Sequence, residues 1–195
     1  MYEYLDEQML QWGAKLRDDL KVDSEAAKRL ATAISHEISQ LPEEIRFRIM
    51  NATPVGLRER IDELVAFQSW MDFAFRFRDC PEVVRAQVIT QNYVCFVYLG
   101  DAWFKVLRKE LGSESAVAKC CKYLTDNPVR AFRNAMAHDN WRYNADYSGL
   151  QYWAKKGSDP DEPIIEWEVS QQDLNFWQSL AQCTAYASFL SLDHQ

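Results

Sequence analysis

Glycine and proline are scarce in this chain, six of each in 195 residues. So few breaks favour long helices over many short strands. No two glycines fall at the spacing of a phosphate loop, which excludes a Walker-type loop and a dinucleotide-binding turn. No G-x-S-x-G elbow is present. "SHEIS" around His36 lacks the second histidine of a zinc helix, because Gln40 stands in its place.

The five cysteines, at 80, 95, 120, 121 and 183, include no C-x-x-C pair. An odd number with Cys120 and Cys121 adjacent suits neither a bridge nor a zinc clamp, so buried free thiols in a reducing compartment are expected. Long apolar runs are missing too. The longest, Tyr93 to Gly100, is too short to span a bilayer. MYEYLDEQML is acidic and lacks the basic start and apolar stretch of a signal peptide. A soluble, cytoplasmic protein with no membrane association is the expectation.

Positive charge is short overall, with 22 basic against 29 acidic residues and a net charge of −7. That argues against a protein that coats nucleic acid nonspecifically, since such binding needs excess Lys and Arg. A small basic pocket on an acidic body is still compatible with it. Lys119 to Arg142 carries five basic residues against two acidic ones. Gly157 to Gln195 carries seven acidic residues and no Lys or Arg.

What is abundant is apolar: 48% hydrophobic residues, 13% aromatic, enough for a substantial core. Before residue 143 the apolar residues recur at helical spacing. Tyr2 to Leu20 presents Leu5, Met9, Trp12, Leu16 and Leu20. Ser24 caps a second helix with Leu30, Ile34, Ile38 and Leu41 on one face and Pro42 as its stop. A short helix and turn fill Pro42 to Gly56, and a helix over about 57–77 presents Ile61, Leu64, Phe67, Met71 and Phe75. A long helix starts at Pro81 and stops before Gly112. Its run YVCFVYLGDAWF is apolar all round except at Asp101, as suits the centre of a bundle. Two more helices cover Ser115–Leu124 and Pro128 to about His138, with Asn127 as cap and Pro128 as first residue.

After Trp141 the period changes. "GLQYWAKKG" and "IIEWEV" read as two short strands around a polar loop, and Ser170 then starts an amphipathic last helix. The expected class is all-α, with a β-hairpin or irregular insert near 150–169. Residues 1–56 form an N-terminal helical extension packed on a helical domain over 57–195.

The stretch RNAMAH, residues 133–138, concentrates the chemistry. With Arg130 at zero on a wheel of about 100° per residue, Asn134 falls near ~40°, His138 near ~80°, Arg133 near ~−60° and Ala137 near ~−20°. Phe132, Met136, Val129 and Ala135 occupy the opposite side. One face docks on the core, and the other sets two arginines, an asparagine and a histidine around a small gap. Arg133 and His138 lie about 140° apart on an ideal helix, so their convergence needs arginine's reach or a helix end.

R-N-A-M-A-H fits the R-x-x-x-x-H signature of HEPN domains, with the polar Asn134 after the arginine. RNAMAHDNW, the hairpin with YW, the amphipathic last helix and the central helix VITQNYVCFVYLGDAWF also resemble that family, over about residues 58 to 190. The resemblance implies a HEPN-like helical bundle, usually a homodimer, that cuts RNA without a metal or other cofactor. His138 would be general acid/base, Arg133 would bind the scissile phosphate, and Asn134 would orient the substrate or the arginine. It also implies toxins or defence effectors held in check by an antitoxin or regulatory protein.

Each residue has a plainer reading as well. His138 could be a C-terminal histidine complementing the helix dipole. Arg130 is either a second phosphate contact or a partner of Asp126 at i−4. Asp101 either pairs with Arg133 or lies at the surface. Trp141 either stacks on a base or packs in the core or a dimer contact. Arg142 is the last candidate for substrate binding. Because some HEPN proteins do not cut RNA, the alternative function is a non-catalytic helical module binding a nucleotide, nucleic acid or protein partner.

Overall fold

The computed structural model describes residues 24–52, 57–74, 80–146, 148–155, 159 and 161–193. Helix α1 spans Ser24–Ser39, α2 Glu43–Met50 and α3 Leu57–Ala74. A long helical run follows: α4 (Pro81–Asn92), π-helical stretches at Tyr93–Tyr98 and Gly100–Phe104, then α5 (Lys105–Glu110). Next come α6 (Ala116–Thr125), α7 (Val129–Ala137), β1 (Trp141–Tyr143), β2 (Gly149–Lys155), β3 (Ile164–Ser170) and α8 (Gln171–Asp193). The helix expected over Tyr2–Leu20 lies outside the described residues, as does the part from Phe75 of the helix expected over about 57–77. Among the described residues no helix is long and apolar enough to cross a membrane.

Serine side chains close the starts of α6 and α8. Ser115 accepts from the Ala118 N–H at 2.9 Å. Ser170, the last residue of β3, accepts from the Asp173 N–H and donates to the Asp173 carboxylate, a reciprocal cap on α8. Pro81 sits in the first turn of α4. Asn127 does not cap α7: Pro128 occupies that position without a side-chain bond, and the Asp126 carbonyl accepts from the Arg130 N–H instead. The Asn127–Pro128 bond is cis.

The apolar run of the central helix is wound in wide turns. Leu99 and Lys105 donate their N–H groups to Val94 and Gly100, each five residues back. Cys95, Phe96, Leu99, Trp103 and Phe104 are buried there. Residues 24–50 share the same core: Ile34, Ile38 and Ile49 join one cluster with Trp103, Phe104 and Phe189, and α1 packs along α8.

The fold is mainly helical, as expected, and the expected insert near 150–169 belongs to a three-stranded antiparallel sheet in the order β1-β2-β3. The predicted hairpin is β2 and β3, paired from Gly149↔Ser170 to Lys155↔Ile164. Trp141–Tyr143 adds a third strand against Leu150–Tyr152. At Gly149 an added Cβ would collide with the Val169 carbonyl, so the turn into β2 requires glycine.

Phe132 fastens α7 to this frame. Its ring meets Phe96 at 5.4 Å, Tyr152 at 5.2 Å and Trp177 at 5.8 Å, all edge to face. Burying such a ring is worth about 1.5–3 kcal/mol, and each edge-to-face pair adds roughly 0.5–1.5 kcal/mol. The helix that carries RNAMAH is thereby held against the π stretch, the sheet and α8 together.

Candidate functional site

The two faces of α7 are those drawn from the wheel. Val129, Ala131, Phe132, Ala135 and Met136 are buried, Arg133 and Asn134 half-buried, and Arg130, Ala137 and His138 exposed. The helix ends at Ala137, and His138 takes φ −114° and ψ 11°, outside the helical range. Asp139 follows with φ 56°, and the Asn140 N–H returns to the Ala135 carbonyl at 2.8 Å. This is a Schellman closure with aspartate in the position that usually holds glycine. His138 therefore does not continue the ideal wheel on which it and Arg133 lie apart. The two side chains line one cleft of about 760 Å³.

The walls of that cleft come from distant parts of the chain. Arg130, Arg133 and Asn134 stand on α7, with His138 and Asn140 just beyond it. Lys105 and Arg108 come from α5, and Gly100 and Phe96 from the π stretches. Trp153, Ala154 and Lys155 from β2 and Ile164 from β3 close the sheet side. The Asn140 carbonyl accepts from the Trp153 N–H at 3.0 Å and so joins the end of α7 to β2.

Among the described residues, five Lys and Arg line the cleft against one carboxylate, Asp126. That carboxylate is met by Arg108 at 2.8 Å and Lys122 at 3.5 Å, and Arg108 also donates to the Thr125 hydroxyl at 2.9 Å. On a body of net charge −7 the cleft is a local concentration of positive charge. Walls of low dielectric focus such a field on an entering anion. Arg133 Nη1 donates to Asn134 Oδ1 at 2.8 Å, so Asn134 holds the arginine.

The remaining predicted residues are placed differently. Trp141 is buried, with the Arg85 guanidinium 5.1 Å from its ring centroid and Tyr143 edge-on, so it packs in the core rather than presenting a face to a base. Arg142 is not part of the cleft lining; its Nε donates to Gln151 at 2.8 Å and its Nη2 lies 3.6 Å from Glu166. Asp101 falls in the second π stretch, and its side chain lies outside the described residues.

Lys105, Arg108, Trp153 and Lys155 were not singled out from the sequence. For Trp153 and Lys155 a signal exists: the two-residue alternation of β2 puts them on the face opposite Leu150, Tyr152 and Ala154. Among the described residues no group of three or more His, Cys, Asp or Glu comes together as a metal site. Comparison with protein-family models, with curated proteins and with solved structures finds no match for this chain.

Proposed function

We propose that the cleft binds an RNA phosphodiester and that the protein is an endoribonuclease of the HEPN type, working by attack of the neighbouring 2′-hydroxyl. The observation that carries this reading is the gathering of five cations and the RNAMAH histidine around one cleft of an acidic protein. As the 2′-oxygen bonds to phosphorus, a base takes its proton, the bond from phosphorus to the 5′-oxygen breaks, and an acid protonates that oxygen. His138 exchanges these protons.

Arg133, held by Asn134, offers its planar fork to the phosphoryl oxygens, where charge gathers in the transition state. Arg130 and Lys105 add positive charge from two further sides. Acid and base steps call for two proton-transferring groups, and among the described residues His138 is the histidine of the cleft lining. A second copy of the motif facing the first across a homodimer supplies the other.

Incubating the purified protein with RNA in EDTA tests the reading. Fragments ending in a 2′,3′-cyclic phosphate and a 5′-hydroxyl are expected, and intact RNA would contradict it. The size of the cleft favours a second reading, a module that holds a nucleotide or nucleic-acid end without cutting it. In that case RNA binds and stays whole.

A further inference from the structure

β2 alternates strictly. Leu150, Tyr152 and Ala154 turn into the core, and Gln151, Trp153 and Lys155 are half-exposed on the other face. The core position is filled by Tyr152, so Trp153 is the large aromatic left partly open, and it borders the cationic cleft. Paired residues of an antiparallel ladder share a face. Lys155 therefore stands beside Ile164, and Trp153 beside Glu166. Ile164 is 66% exposed and also borders the cleft. Glu166, the anion next to Trp153, lies 3.6 Å from Arg142. The sheet edge thus offers the cleft an indole, an aliphatic side chain and an ammonium group in a row.

One phosphate does not need this room. Small-molecule sites run from roughly 300 to 1,000 Å³, and at about 760 Å³ this cleft is in the upper part of that range. An aromatic face beside a cationic groove is the combination that holds unpaired bases, because every base has a π face and its backbone follows the charge. A duplex keeps its bases stacked inside and cannot use such a face.

Resting on the phosphodiester reading above, we propose that the outward face of β2 receives the nucleotide next to the reacting phosphate, with Trp153 stacking on its base and Lys155 contacting its phosphate. The substrate is then single-stranded RNA. Trp153 and Lys155 are binding residues outside the R-x-x-x-x-H motif.

The test uses the full chain carrying His138→Ala, to prevent turnover, and a short fluorescein-labelled oligoadenylate read by anisotropy. Trp153→Leu weakens binding roughly tenfold or more, whereas Trp153→Phe stays close to the parent. Lys155→Gln lowers the slope of log affinity against log salt by about 0.7, the value of one single-strand phosphate contact. The same strand annealed to its complement binds more weakly and does not respond to Trp153. Circular dichroism checks the fold, and if Trp153→Leu does not fold, Lys155→Gln decides. Parent-like binding by the Trp153 and Lys155 variants, with binding lost in Arg133→Ala, would overturn this proposal and leave the phosphodiester reading standing. No binding of the strand by the parent would overturn both.

Discussion

Arg133 and Asn134 are chain neighbours, yet their side chains are bonded to each other, Nη1 to Oδ1 at 2.8 Å. Neighbours on a helix point about 100° apart, so this bond pulls the guanidinium round toward the side of α7 that leads to His138. Asn134→Ala is predicted to lower kcat roughly tenfold with little change in stability. Arg133→Ala loses more, and the double variant is no worse than Arg133→Ala alone, because asparagine acts through the arginine. Single-turnover cleavage by the three variants measures this. Independent, additive losses would show that Asn134 has a separate role.

Glu37 of α1 accepts from the N–H groups of Ala116 and Val117, at 2.7 and 3.0 Å, and so closes the start of α6 from another helix. A helix start left without such acceptors is costly, and a carboxylate there also complements the helix dipole. Glu37→Ala should destabilise the protein by about 1–2 kcal/mol, with Glu37→Gln losing less. Chemical denaturation of both variants checks the magnitude.

Asp139 ends α7 with φ 56°, a conformation that costs any residue with a Cβ more than it costs glycine. Asp139→Gly is predicted to stabilise the fold by about 0.5–1 kcal/mol, raising Tm by roughly 1–4 °C. Asp139→Val should lower it. Thermal melts of the pair test the backbone assignment at the end of the motif helix.

Burial keeps the thiols protonated. It pushes Cys183 up to about 12 and raises Cys121 and Cys120 as well. In the unfolded chain a thiol ionises at its ordinary value, near pH ~8.5. The folded state therefore keeps its full advantage below that pH and loses it as the pH rises toward the folded value. Native protein near pH ~8 should resist iodoacetamide at Cys121 and Cys183, and denaturant should open both to labelling. Mass spectrometry after labelling reads the outcome.

Much of the frame was legible because it rests on local signals. Pro42, Pro81, Ser115 and Ser170 mark helix boundaries, the serines by capping and the prolines by their rings. The apolar face of α7 followed from the wheel, and so did the polar arc of Arg130, Arg133, Asn134 and His138. β1 was missed because three residues carry too little alternation to register; Trp141–Tyr143 is a strand only because Leu150–Tyr152 lies beside it. The far walls of the cleft were illegible for a similar reason. Lys105 and Lys155 are fifty residues apart, and only the tertiary packing, with α7, the π stretch and the sheet meeting at Phe132, brings them to one cavity. The end of the helix at Ala137 was not legible either, because that end depends on Asp139 and Asn140 rather than on periodicity.

The most direct test of the central claim is the rate of RNA cleavage in EDTA by the parent, His138→Ala, Arg133→Ala and Arg142→Ala, each shown to be folded. Loss of the general acid/base should cost 10²–10⁴-fold, and loss of the phosphate-binding arginine roughly 10²–10³-fold. Arg142→Ala, which changes a residue outside the cleft lining, should cut nearly as fast as the parent. Equal cutting by His138→Ala and Arg133→Ala would contradict the account.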